Sequence, residues 1–161
     1  MSAFRNPDPA TLHAAFDEEA DALRAFTAVL RREQQALMDG DVEALAVHCE
    51  EKGTAFSRLA TLGERRTQLT AALSRSVGTG IDTWIEQRPA QAPERAAWAR
   101  LLHLASEARE LNRQNGQLIS ARMQHHQQAL TVLLAAGGPP AVYGPDGQTR
   151  ARGRGRHLGT V

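Results

Sequence analysis

The chain has 161 residues, about one domain, with 42% apolar residues, 23% charged residues and a formal net charge of +1. Of its 67 apolar residues 28 are alanine and 18 leucine, against seven valines and three isoleucines; strands draw on β-branched and aromatic residues, so an all-β or α/β fold is excluded. A single cysteine, Cys49, excludes a disulfide framework and any multi-thiolate metal site, and the near-zero net charge provides no bulk field for nucleic acid or a membrane surface.

Asp8-Pro9 reads as a helix start, with Asp8 as N-cap and Pro9 at the first helical position, where its missing N–H costs nothing. From there Leu12, Phe16, Glu19, Leu23, Phe26, Leu30, Glu33 and Leu37 recur at alternating steps of four and three, a heptad seam with two glutamates set into it. The spacing predicts a helix over 9–38, stopped by Gly40 and followed at once by Asp41 as the next N-cap. So short a connection makes the second helix antiparallel to the first. That helix is predicted over 42–77, with a seam of Leu45, Cys49, Lys52, Phe56, Leu59, Leu62, Arg66, Leu69 and Leu73, and Gly78 stops it. On the seam Cys49 reads as a small core residue.

Ile81, Trp84 and Ile85 give a short connecting helix over 81–87, Pro89 and Pro93 bracket a loop, and Pro93 opens a third long helix over 93–136. Gly137-Gly138-Pro139-Pro140 ends it. Residues 137–161 hold seven of the thirteen glycines and three of the seven prolines, with Arg150, Arg152, Arg154 and Arg156 against the single acid Asp146. They read as a flexible basic tail. The expected fold is therefore all-α: an elongated antiparallel bundle or coiled coil of three long helices in 1–136, and the tail in 137–161. At 1.5 Å per residue the long helices would measure roughly 45, 55 and 65 Å, a slender rod that presents helix faces and encloses no small-molecule pocket.

Catalytic and metal patterns are thin. The paired Glu-x-x-His motifs of di-iron bundles are missing, and His103 with Glu107, or His125 with its neighbours, offers too few ligands for a closed site. His48 and Cys49, adjacent on a helix, do not face each other. No cofactor, metal or enzymatic activity is expected. The arginine run has only Tyr143 as an aromatic nearby, too little for a base-stacking surface, so nucleic acid is not the expected partner. The longest apolar run, Ala129 to Ala136, is well short of the ~20 residues that cross a bilayer. A cytoplasmic interaction protein is the expectation.

Polar residues inside the seams carry more information. Folding the hairpin about Gly40 sets Glu33 opposite Lys52, either as a pair that fixes register or as aliphatic stems packed with their heads in water. Asn112 and Asn115, one turn apart on the third helix, admit the same two readings, or bond a partner's backbone. Gly116 inside that helix lowers its stability by ~1 kcal/mol against alanine; it admits close approach of a partner helix, of the first or second helix, or marks a bend.

Leu30-x-x-Glu33-x-x-x-Leu37, Gly40-Asp41, Lys52 and Phe56, then Leu111-Asn112-x-x-Asn115-Gly116-x-Leu118 and Tyr143-Gly144-x-Asp146-Gly147-Gln148, together resemble the FlgN-type flagellar export chaperones over roughly residues 8–150. The resemblance implies a cytoplasmic, non-enzymatic helper of flagellar type III secretion. It would bind the C-terminal helices of the hook-associated junction proteins, prevent their premature assembly and deliver them to the export gate. It further implies that Asn112, Asn115, Gly116, Leu118 and Ile119 lie on or beside the cargo-binding face and that Tyr143 contacts the cytoplasmic domain of the gate. The free protein is compatible with a monomer or a homodimer. A self-associating structural coiled coil without a client is the alternative that the helices alone allow.

Overall fold

The structure, a computed structural model, describes residues 7–137. Four helices follow one another: α1 (Pro9–Asp39), α2 (Val42–Val77), α3 (Ile81–Glu86) and α4 (Pro93–Ala136). Among the described residues every regular element is helical, as the composition requires. The limits agree with the sequence reading except that α1 runs one residue further and α3 stops one earlier, differences of the size that fraying ends produce. Asp8 caps α1 with a long 3.5 Å contact from the Ala10 N–H. Gly40 then takes φ 75°, open to a residue without Cβ, and its N–H donates to Ala36 O. Asp41 accepts the Ala44 N–H at 2.9 Å and starts α2.

All eight seam residues of α1, Leu12 through Leu37, are buried, and a second stripe of Ala15, Ala22, Val29 and Ala36 is buried beside it. A helix buried over so wide a face is packed on more than one side, and α1 is the spine of the fold. Phe16, Leu12 and Leu30 are fully enclosed, each contributing about 1.5–3 kcal/mol of apolar burial. Antiparallel α2 is fixed in register by a ladder of ion pairs: Glu18–Arg65, Glu19–Arg66 and Arg32–Glu51 at 2.8 Å, and Glu33–Lys52 at 3.0 Å. The hairpin arithmetic about Gly40 is thereby fulfilled, Glu33 meeting Lys52.

The connection from α2 to α4 is a tied corner. Trp98 packs on Phe16 with ring centroids 4.9 Å apart and donates its indole N–H to Asp82 at 3.1 Å. Arg88 lies over the Trp84 ring at 5.1 Å and pairs with buried Glu94 in the first turn of α4. The Ala92 carbonyl accepts the Arg95 N–H at 3.1 Å and so opens α4. The first part of α4 then runs parallel to α1, with Arg100 bonded to Asp17, Glu107 to Arg31 and Gln114 to Gln34. Two compact units divide the chain, one through Ser120 and one from Ala121. The first holds the α1–α2–α3 assembly with α4 up to Ser120. The described part of the second is the end of α4, where Met123, Leu130, Val132, Leu133 and Leu134 are exposed.

Candidate functional site

Within the first unit α2 and α4 share one core with α1, but over Leu23 and Phe26 they leave an open groove of about 480 Å³ between them. Leu23 and Phe26 of α1 form its floor. One wall is Cys49, Lys52, Gly53, Phe56 and Leu59 of α2; the other is Ala105, Ala108, Arg109 and Asn112 of α4. The gap follows from residue size. Alanines at 105 and 108 cannot reach across to α2, and Gly53 adds nothing from the other side: a Cβ built there meets no atom within 4 Å. Phe56, on the predicted seam of α2, is left 63% exposed over the groove. Cys49 is exposed as well, which corrects its reading as a core residue; the seam spacing is right, but no helix covers it there. Leu73 is the one fully buried residue of α2.

Beside the groove lies a polar node that ties three elements. Glu33, 2% exposed, receives Lys52 Nζ at 3.0 Å on both carboxylate oxygens. Asn115 Nδ2 donates to Glu33 Oε2 at 2.7 Å and to the Leu30 carbonyl at 2.8 Å. Pairing rather than snorkelling therefore describes Lys52, and likewise Arg66, whose Nε reaches Glu19 at 2.8 Å. On the groove walls the charge of Lys52 is met by Glu33, whereas Arg109 pairs with none of the described residues.

The residues singled out from the sequence separate here. Asn115 is fully buried in the node, whereas Asn112, one turn earlier, lines the groove. Gly116 is exposed with open space around it, so neither α1 nor α2 approaches it. Leu118 is half-buried and Ile119 is 38% exposed. Tyr143 lies outside the described residues. Gly53, Phe56 and Arg109 complete the groove but were not marked as functional in the sequence. A glycine in mid-helix on a seam flank, one turn before an aromatic, is the pattern that could have pointed to them.

Among the carboxylates, His48 and Arg32 beside Glu51 hold its carboxyl below the ordinary range. Arg113 and Gln114 lower Glu110 to about 2. Burial pushes Glu94 up, but its own backbone N–H and Arg88 outweigh that and leave it below the ordinary value. Among the described residues no three His, Cys, Asp or Glu side chains gather as a metal ion would need, and no helix is long and apolar enough to cross a membrane.

Residues 8–151 match the family described as FlgN protein. The flagella synthesis protein FlgN of Yersinia enterocolitica serotype O:8 is 31% identical over 141 residues, covering 86% of this chain and 89% of its own. The FlgN of Salmonella typhimurium is 30% identical over 146 residues, covering 89% and 94%, and that of Proteus mirabilis 28% over 141, covering 86% and 90%. No solved structure gives a significant match. With nearly its whole length aligned to the family and to relatives of similar length, the chain belongs to the FlgN family.

Proposed function

We propose that this chain acts in flagellum assembly as a cytoplasmic, non-enzymatic export chaperone, and that the groove over Leu23 and Phe26 receives the C-terminal helix of a hook-associated junction protein. Family membership supports the flagellar role. The observation that carries the site is the groove itself: an apolar floor, an exposed Phe56 and small residues at Gly53, Ala105 and Ala108, open where a fourth helix would complete the packing around α1. Helix-in-groove recognition works this way, an amphipathic helix laying its apolar face into a preformed slot. Close approach is possible at Gly53, Ala105 and Ala108, and Asn112 can bond polar groups along the guest. Arg109 favours a guest with an acidic residue flanking its apolar stripe. Capping that stripe keeps a junction protein from associating with its own kind before export.

Delivery to the gate falls to another part of the chain in this reading. The family match extends through Tyr143, the aromatic of the Tyr-Gly-x-Asp-Gly motif, which is the proposed contact to the cytoplasmic domain of the export gate. Tyr143→Ala is expected to leave the affinity for cargo peptide intact and to lower export of the junction proteins.

Cys49, the chain's one thiol, stands on the groove wall and reports on its occupancy. A synthetic C-terminal helix of a junction protein, at saturating concentration, is expected to slow alkylation of Cys49 at least about tenfold, as docking excludes the reagent. A peptide that binds without protecting Cys49 would move the cargo site elsewhere. One that fails to bind would favour the structural coiled-coil alternative.

A further inference from the structure

The other flank of α2 carries a second groove, of about 540 Å³, between α1 and α2. Thr54 faces this side; Phe56, two residues on and about 200° round the helix, faces the first groove. On the α1 side the second groove has Ala22, Ala25 and Val29, small enough to let another backbone come close. Its α2 side carries Glu50, Thr54 and Arg58, and the two charged residues sit four positions either side of the threonine. Neither Glu50 nor Arg58 forms a side-chain ion pair with any described residue, and eight positions, roughly 12 Å along the axis, keep them from each other. The same exposed face continues the order outward, Glu43 on the acidic side and Arg65 on the basic side. Arg65 is held by Glu18, and Arg32 and Glu51 in the groove hold each other, so Glu50 and Arg58, with Glu43 further out, are the charges left to be matched.

We propose that this face joins two copies of the chain about a two-fold axis at Thr54, with α2 antiparallel to α2 of the second copy. Reversing the helix about Thr54 brings each Glu50 against the other copy's Arg58, and each acidic end against a basic one. Such self-complementarity under reversal is what an isologous interface requires, because one surface must serve as both partners. A foreign ligand would have no need for acid and base to be equidistant from a small central residue. The dimer leaves the Phe56 groove free, since the two lie on opposite flanks of α2, and the inference stands apart from the proposed cargo.

Sedimentation equilibrium of the full chain tests this. The unmodified protein is expected at twice its 17.5 kDa chain mass, with association weakening as salt is raised. Glu50→Arg or Arg58→Glu alone sets like charges opposite each other at two symmetric places and is expected to weaken the dimer at least about tenfold. The combined Glu50→Arg/Arg58→Glu variant exchanges the signs, restores complementarity and is expected to dimerise as the unmodified chain does. Both positions are exposed, so helix content by circular dichroism is expected to stay unchanged. A monomeric unmodified chain, a dimer indifferent to both reversals, or a combined variant no better than the single ones would overturn the proposal.

Discussion

The Glu33–Lys52–Asn115 node offers the sharpest test of how the first unit is held. Glu33 is 2% exposed, while the side chain of Lys52 is 26% exposed and its ammonium lies 3.0 Å from both carboxylate oxygens. Lys52→Met leaves a buried carboxylate with Asn115 as its remaining donor. Breaking a buried pair from one side costs ~3–5 kcal/mol, and partial access of water at Lys52 places this case near ~3 kcal/mol. Glu33→Met is milder, ~1–2 kcal/mol: the lysine swings out into water, Asn115 keeps the Leu30 carbonyl, and the methionine fills the space. The double variant leaves no charge stranded, and its cost is expected at ~1 kcal/mol, less than that of Lys52→Met alone. The cycle then gives a coupling of roughly 3 kcal/mol. Urea unfolding of the four proteins at neutral pH, followed by circular dichroism, measures it against a total stability of the order of 5–15 kcal/mol. Additive single effects, with coupling below ~1 kcal/mol, would refute the buried-pair account and place the contact among ordinary surface ion pairs.

Two further outcomes follow from the same geometry. Gly116→Ala adds a Cβ that meets nothing within 4 Å and removes a helix-interior glycine, so stability should rise by ~1 kcal/mol and the thermal midpoint by about 2–4 °C; a fall would mean that α4 needs glycine there for its own conformation. Glu94 has its pKa lowered from the ordinary 4.5, so its contribution to stability is present above that value and is lost as pH falls through the folded-state value. Arg88→Gln should therefore be less stable at pH 7, with the gap from the unmodified protein closing as pH falls below the ordinary 4.5 and through the lower folded-state value. A gap that stays constant in urea midpoints over that range would show that Arg88 stabilises through the Trp84 ring and not through Glu94.

Most of α1 was legible in the sequence because α1 is covered on several sides: wherever the four-three pattern placed a residue, the structure supplies a neighbour. The same pattern on α2 gave the right face but not its burial. Periodicity reports which side chains share a face, and coverage depends on the neighbour's reach; Ala105 and Ala108 on α4 are too short to close over Cys49 and Phe56. The Glu33–Lys52 pair could be found by counting from Gly40, since a tight hairpin fixes register. Asn115's place in the same node could not, because the α3 corner intervenes and its ties, Trp98 to Asp82 and Arg88 to Glu94, have no local signature. Asn112 and Asn115 illustrate the limit: one turn apart, one faces the groove and the other is consumed inside.

The central claim is that the Phe56 groove holds the cargo helix, and Gly53→Leu tests it most directly. The new side chain projects into open space on the groove wall and raises helix propensity, so it blocks the slot without unfolding the protein. Titration calorimetry of the junction-protein C-terminal helix should show saturable one-to-one binding to the unmodified chain with a negative heat-capacity change, and an affinity at least about tenfold weaker for Gly53→Leu. Equal affinity for both proteins would contradict the account.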